Sequence, residues 1–353
     1  MRHIIHRCKT CYRTKPTTVQ QMMGDLPTAR VTVSRPFLRT GVDYIEPIYV
    51  RPAPRRPVVK AYVAIFICMC TKAVHLELVT DLSTDKFLQA LRRFVSRRGR
   101  CAEMFSDNGT NFVGARNKLQ DFLKLLRNSK HHDIVSKELA EEGIQWHFNP
   151  PSAPHFGGLW EAAVRSAKTH LLKVVGENPV SPEDMTTLLA QVEACLNSRP
   201  LTPMSDDPND LQPLTPAHFL VGESLQALPE PNLEDLPTNR LNHWQLMQRK
   251  LQDFWRRWRR EFLCQLQGRT KRWKPAVPIG IGQLVIIQDD NQPPMRWKMG
   301  RIIQVHPGGD GTIRVVTLKT ASGTLMRPVE KICILPFADN TELQDATADS
   351  HQS

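Results

Sequence analysis

Apolar and polar positions alternate with strand-like spacing in three successive runs, Thr40–Val50, Val58–Cys70 and Ala73–Val79. Within the second, AYVAIFICMC (Ala61 to Cys70) is almost unbroken apolar sequence. It is about half the length a membrane-spanning helix needs and reads as a buried strand. The period then changes. Over Thr84–Arg97, Phe87, Leu88, Leu91 and Val95 recur at helical spacing. Glu103–Ser106 reads as a short strand, Ala115–Leu126 and His131–Glu142 as helices, and Ile144–Phe148 as another strand. Helices are expected over Gly158–Val175 and Pro182–Asn197.

Three strands in meander order, then helix, strand, helix, strand, helix, is the layout of a ribonuclease-H-like α/β fold. The rest of the chain divides by composition. Residues 1–16 carry a CxxC pair, and 17–40 read as a linker. Residues 41–200 hold the α/β pattern, 201–237 form a Pro-rich extended connector, and 238–275 a basic, Trp-rich helical segment. A small all-β pattern occupies 276–336, with GGDG (Gly308 to Gly311) as a turn. The polar tail 337–353 is expected to be disordered.

Charge narrows the range of partners. The chain of 353 residues carries a formal net charge of +12, with 41% hydrophobic and 23% charged residues. It reads as globular, with an excess of cations that suits a polyanion such as nucleic acid or an anionic membrane surface. A generic basic soluble protein is the plain alternative. The first residues lack an apolar stretch of signal-peptide length, so export is not expected. Of the eight cysteines, only Cys8 and Cys11 form a CxxC pair. Cys68, Cys70, Cys101, Cys195, Cys264 and Cys333 read as reduced core thiols.

Three acidic residues stand where a sheet can gather them. Asp43 lies in GVDYIEP on the first strand of the α/β region, and Asp107 lies in SDNGTNF directly after a strand. Glu161 is in the first turn of a helix that follows a Pro/Gly loop. Phosphodiester chemistry uses such clusters, because Mg²⁺ and Mn²⁺ take oxygen ligands and a pair of ions can activate one oxygen and stabilise another. Each residue also has a structural explanation. Asp107-Asn108-Gly109 is turn chemistry, Glu161 suits a helix dipole, and Asp43 can be a polar residue on an exposed face. Glu46, Asp81 and Asp85 are further acids nearby.

SDNGTNF resembles the second-Asp motif of retroviral and retrotransposon integrases. NPPSAPHFGGLWEAAVRSAK, GVDYIEP and the preceding MMGDLPTARVTVSRPF are similar to the matching segments of BEL/Pao-type LTR retrotransposon polyproteins. The interval from Asp107 to Glu161 is longer than in retroviral enzymes, as it is in BEL/Pao-like members. The resemblance spans nearly the whole chain. It implies a DDE polynucleotidyl transferase with Asp43, Asp107 and Glu161 as ligands of two Mg²⁺ or Mn²⁺ ions. The implied reactions are 3′-end processing and strand transfer into target DNA. The implied partners are element-end DNA, target DNA and further copies of the chain, with no membrane and no small-molecule substrate. The implied location is the nucleus, with a cytoplasmic phase.

Glu161, Arg165 and Lys168 share one helix face. The resemblance makes Arg165 and Lys168 contacts to element-end DNA, against the alternative of a simple Glu–Arg helix pair. It also places Thr110 near target DNA, and His155 lies in the Pro/Gly loop Pro150–Gly158. Cys8 and Cys11 have the spacing of half a zinc site. His3 and His6 stand too close to complete it. Zn²⁺ is therefore expected only with an upstream His pair, and residues 1–16 read as the remnant of an HHCC domain whose start is truncated. In the Trp-rich segment, Trp244, Leu251, Phe254, Trp255, Trp258 and Phe262 alternate with Arg256, Arg257, Arg259 and Arg260. A packing helix and a DNA- or partner-contacting helix are both open. The final β pattern resembles the small SH3-like barrel at the C-terminus of BEL/Pao polyproteins. A decayed or domesticated integrase that binds nucleic acid or chromatin without catalysis is the alternative function. A ribonuclease H suits the fold and not the motif contexts, and a membrane-surface protein suits the charge alone.

Overall fold

The computed structural model describes residues 28–53, 55–106, 112–117, 143–148, 158–175, 179–205, 207–234, 236–267 and 279–336; at Glu46, 158–165 and Thr238 it describes the backbone alone. Cys8, Cys11, Asp107, Thr110, His155, the helix expected over His131–Glu142, all but the first three residues of that expected over Ala115–Leu126, and the tail from 337 lie outside the described residues. The chain forms two units, Met1–Val33 and Ser34–Ser353. In the first, a single helical turn spans Thr28–Val31.

The second unit is mixed α/β. Its first sheet contains β1 (Arg39–Val50), β2 (Val59–Cys68), β3 (Val74–Val79), β4 (Glu103–Ser106) and β5 (Gln145–Phe148), in the order β3-β2-β1-β4-β5. The first three strands form an antiparallel meander. β4 pairs parallel with β1, and β5 parallel with β4. The helices are α1 (Thr84–Arg98), α2 (Gly158–Val175), α3 (Pro182–Asn197), α4 (His218–Val221) and α5 (His243–Leu266).

Both faces of β2 are covered, which explains its unbroken apolar run. Val63, Ile65 and Ile67 face α2, α3 and α5, while Ala64, Phe66 and Cys68 face α1. α1 starts where Ser83 accepts the Lys86 N–H and ends at Gly99, whose φ of +82° favours glycine. Its buried stripe is Phe87, Ala90, Leu91 and Phe94, with Leu88 and Val95 half-buried at its margin.

β3 is an edge strand whose outer backbone groups are capped by side chains of α3. Asn197 accepts from the Val74 N–H and donates to the Val74 carbonyl, both at 2.8 Å. Glu193 accepts the Leu76 N–H at 2.8 Å. These bonds occupy edge groups that a further strand would need. The same carboxylate meets buried His75, which also touches Glu77, and Arg93, Arg97 and Arg98 close the cluster. Burial opposes the His75 imidazolium, but Glu193 and Glu77 outweigh it and raise its pKa above the ordinary 6.5. Burial likewise opposes the Glu77 carboxylate, yet His75 and Arg93 hold it below the ordinary 4.5.

The Trp-rich segment resolves into α5, opened by a capping box between Asn242 and Gln245. Met247, Leu251, Phe254, Trp255 and Trp258 are buried in the same cluster as β1, β2, α2 and α3. It is a packing helix of the core. Arg259 is buried too, lying over the Trp255 ring and donating to the Gln292 carbonyl. Arg257 and Arg260 are exposed. The Pro-rich stretch is more structured than an extended connector. β6 (Thr202–Pro203) pairs with β7 (Pro213–Leu214), and Gln252 of α5 holds the Leu233 N–H and the Pro231 carbonyl. Trp297 stacks edge-on against Trp255, Trp258 and Phe262, tying α5 to a second large sheet.

The second sheet is antiparallel and contains β8 (Leu284–Ile287), β9 (Met299–Pro307), β10 (Ile313–Thr320), β11 (Gly323–Pro328) and β12 (Ile332–Ile334), in the order β11-β10-β9-β8-β12. The 308–311 turn forms as expected, with the Gly308 N–H on the Thr312 carbonyl and Gly311 at φ +74°. A short 3₁₀ turn, Val329–Lys331, carries the chain across to pair β12 with β8. The expectation of a small SH3-like barrel is met as far as a five-stranded antiparallel sheet, with no ladder joining β11 to β12 among the described residues. Of the six cysteines expected in the core, Cys264 is exposed and Cys70 half-buried; the other four are buried. No described helix is long and apolar enough to cross a membrane.

Candidate active site

Asp43 sits on β1, the central strand, opposite Ile65 of β2. Strand alternation decides where it points. Val42 packs against the α1 face and Ile45 against the α2 face, so Asp43 shares the α2 face with Ile45. Its Oδ1 accepts the Tyr44 N–H at 2.7 Å. Its Oδ2 accepts from Lys168 Nζ at 2.6 Å. The Asp43 side chain is 42% exposed and that of Lys168 23%. The pair is part-buried on that face, the carboxylate more open to solvent than the ammonium. Such a carboxylate is a hard oxygen donor already seating one cation, which is the chemistry Mg²⁺ or Mn²⁺ requires.

Two other segments are pinned beside Asp43. β4 ends at Ser106, one residue before Asp107, and is parallel to β1 with Phe105 opposite Gly41. The Ser106 hydroxyl is buried and accepts from Trp146 Nε1 at 2.8 Å, which anchors the end of β4 to β5. On the far side of 107–111, residues 112–117 are helical and Phe112 is buried. Its ring stacks on Tyr44, the residue after Asp43, with centroids 5.4 Å apart. The two ends of the SDNGTNF motif are thus held, Ser106 to β5 and Phe112 to the strand that bears Asp43. Gly114 is needed in that close approach, since a Cβ there would lie 2.3 Å from Thr84 Oγ1.

α2 packs Ala167, Leu171 and Val175 into the core, one residue every four. Glu161 lies in its first turn. The side chains of Glu161 and Arg165 lie outside the described residues. α2 is clamped by α5 through His170 Nε2 to Glu261 Oε2 at 2.6 Å, and through Lys250 Nζ to the Val174 carbonyl at 2.9 Å. No local signal marks these contacts in the sequence.

Among the described acids, Asp81 has another role. Its Oδ1 accepts the Ser83 N–H at the entry to α1, and the Ser83 hydrogen bonds hold its carboxyl below the usual range. Asp85 stands in the first turn of α1, as helix-dipole chemistry favours. No group of three or more His, Cys, Asp or Glu side chains suited to a metal occurs among the described residues, which include Asp43 but not the side chains of Asp107 and Glu161.

A family of unknown function (DUF5641) matches residues 242–335, the stretch holding α5 and the second sheet. No curated protein matches the chain. Many chains of solved structures match it, among them the following two. One is a chain of the simian T-cell lymphotropic virus intasome in complex with PP2A regulatory subunit B56 gamma. It has 12% identity and a TM-score of 0.35, over 96% of this chain and 90% of that one. The other is the catalytic core domain of BIV integrase, with 14% identity and a TM-score of 0.33, over 53% of this chain and 95% of that one.

Proposed function

We propose that the chain is the integrase part of a BEL/Pao-type LTR retrotransposon polyprotein. It would be a DDE polynucleotidyl transferase that trims the 3′ ends of element DNA and joins them to target DNA. The observation that carries this reading is the gathering of three motif segments around Asp43. β1 bears Asp43, β4 stops one residue short of Asp107, and α2 reaches Asp43 through Lys168 at 2.6 Å. The antiparallel meander β3-β2-β1 extended by parallel β4 and β5 suits a ribonuclease-H-like core.

In this reading Asp43, Asp107 and Glu161 hold two Mg²⁺ or Mn²⁺ ions. When bound, such ions activate the attacking oxygen and stabilise the leaving one. The protein's own work is positioning. Seven residues separate Glu161 from Lys168, which is about two helical turns, or roughly 10 Å along one face. Lys168 therefore stands on the Glu161 side of α2 with its ammonium against Asp43. It is suited to trade that carboxylate for a DNA phosphate when the site is charged with metal. Arg165 on the same face and Thr110 beyond Asp107 are the further proposed DNA contacts. The second sheet, read as SH3-like, and the exposed Arg257 and Arg260 are proposed to add phosphate contacts. Binding should then weaken steeply with salt.

The test is strand transfer with a labelled duplex of the element's terminal sequence and Mg²⁺ or Mn²⁺, using the full chain, Asp43→Asn and Glu161→Gln. Metal-dependent joining that falls to background in both variants is expected. Salt-sensitive DNA binding with no joining by the unmutated chain would overturn catalysis in favour of a binding-only protein.

A further inference from the structure

A cleft of about 590 Å³ opens between α3, α5, the segment 226–234 and the loop 290–296. None of its lining residues belongs to the candidate active site. Its size is that of a pocket for a small ligand or a few side chains of a peptide. α5 organises it. Gln252 holds one wall through Leu233 and Pro231, and Trp255 Nε1 holds the other by donating to the Gln292 carbonyl at 3.0 Å.

Three features of the lining point to one kind of occupant. The first is backbone. Residues 224–233 run without regular secondary structure, and between Gln226 and Glu230 no main-chain group is hydrogen-bonded among the described residues. Leu228 in the same stretch is 83% exposed. A main chain with free donors and acceptors is what an extended segment can pair with. The side-chain amides of Gln191, Gln226 and Asn291 also line the cleft and have no partner among the described residues.

The second feature is charge. The lining carries Glu230, Glu234 and Asp290 against Arg296 alone, in a chain of net charge +12. Glu234 is paired with Arg256 at 3.3 Å. Glu230 and Asp290 make no hydrogen bond or salt bridge among the described residues. The buried Arg259 guanidinium also acts on Asp290 and Glu234, but it is engaged by the Gln292 carbonyl and the Trp255 ring, so Glu230 and Asp290 keep carboxylate oxygens open to a cation. The third is the apolar wall of Pro293, Pro294 and Met295, suited to the methylene stem of a lysine or arginine. Met295 is held at φ +62°, a left-handed conformation that is costly for a residue with a side chain.

We propose that this cleft binds a short extended peptide segment of another protein, bearing a basic side chain. Its main chain lies along 226–230, and its cation lies between Glu230 and Asp290.

Fluorescence anisotropy with the full chain tests this. The probes are a fluorescein-labelled nonapeptide of alternating lysine and alanine, and the same peptide with serine or glutamate for lysine. The lysine peptide is expected to bind saturably and about tenfold tighter than the serine peptide, and the glutamate peptide not at all. Glu230→Lys/Asp290→Lys should abolish the preference. Circular dichroism of the variant should match the unmutated chain, since both positions lie at the rim. Leu228→Ser, at a position 83% exposed on the cleft lining, should weaken the lysine peptide without removing its advantage over serine. Equal binding of the lysine and serine peptides would overturn the proposal. So would an undiminished preference in the double charge-reversal variant, since the peptide would then sit elsewhere.

Discussion

Trp258→Ala separates the two readings of the basic, Trp-rich helix. Trp258 is 1% exposed and packs against Phe254, Trp255, Phe262 and Trp297. A tryptophan side chain removes up to about 250 Å² from water, which at about 25 cal/mol per Å² sets an upper bound of about 6 kcal/mol. Alanine retains part of that area and the neighbours relax partly, so the expected loss is about 3–5 kcal/mol. Domains of this kind are stable by about 5–15 kcal/mol, so the loss is roughly a fifth of the total or more. Guanidinium titration followed by circular dichroism measures it. Because α5 packs on β1, β2, α2 and α3, the loss should appear in the main transition. The exposed neighbours Arg257→Ala and Arg260→Ala should each stay within about 0.5 kcal/mol. A loss below about 1 kcal/mol for Trp258→Ala would refute the packing argument. A separate early transition that leaves the first sheet untouched would do the same.

Other outcomes rest on the same kind of contact. With its folded pKa raised above 6.5, His75 contributes stability that is full below 6.5 and is lost as pH rises through the folded value. Glu77, lowered below 4.5, contributes stability present above 4.5 and lost as pH falls through its folded value. Unfolding free energy measured by urea titration should therefore decline from pH 6 to pH 9, and His75→Gln should flatten that decline; an unchanged slope would count against the cluster. Gly114→Ala should cost about 1–3 kcal/mol by overpacking against Thr84, and the cost should shrink when Thr84→Ala is added. Burial pushes the Cys101 and Cys333 thiols up to about 11, while Cys264 is exposed. Peptide mapping after brief iodoacetamide treatment at pH 8 should find Cys264 modified well before Cys101 and Cys333, and comparable rates would contradict the burial.

The order of strands and helices in the α/β region was legible in the sequence because periodicity is local. β2 announces itself through an unbroken apolar run, and α1 through Phe87, Leu88, Leu91 and Val95 at helical spacing. Asp43 was legible as a strand residue, and Glu161 as a first-turn residue of its helix. Partners far apart in sequence were not. Lys168 was readable as a cation on the Glu161 face, but its bond to Asp43 spans 125 positions and exists only once α2 lies across β1. Likewise, the arginines beside Trp255 and Trp258 suited DNA and packing equally well. Tertiary contact decided that the indoles belong to the shared core and that Arg259 is buried while Arg257 and Arg260 face water. The clamp from Glu261 to His170, the side-chain caps on β3 and the strand order of the second sheet were settled the same way. Local spacing specifies which face of an element is apolar, whereas which other element covers that face depends on chain paths that no short window contains.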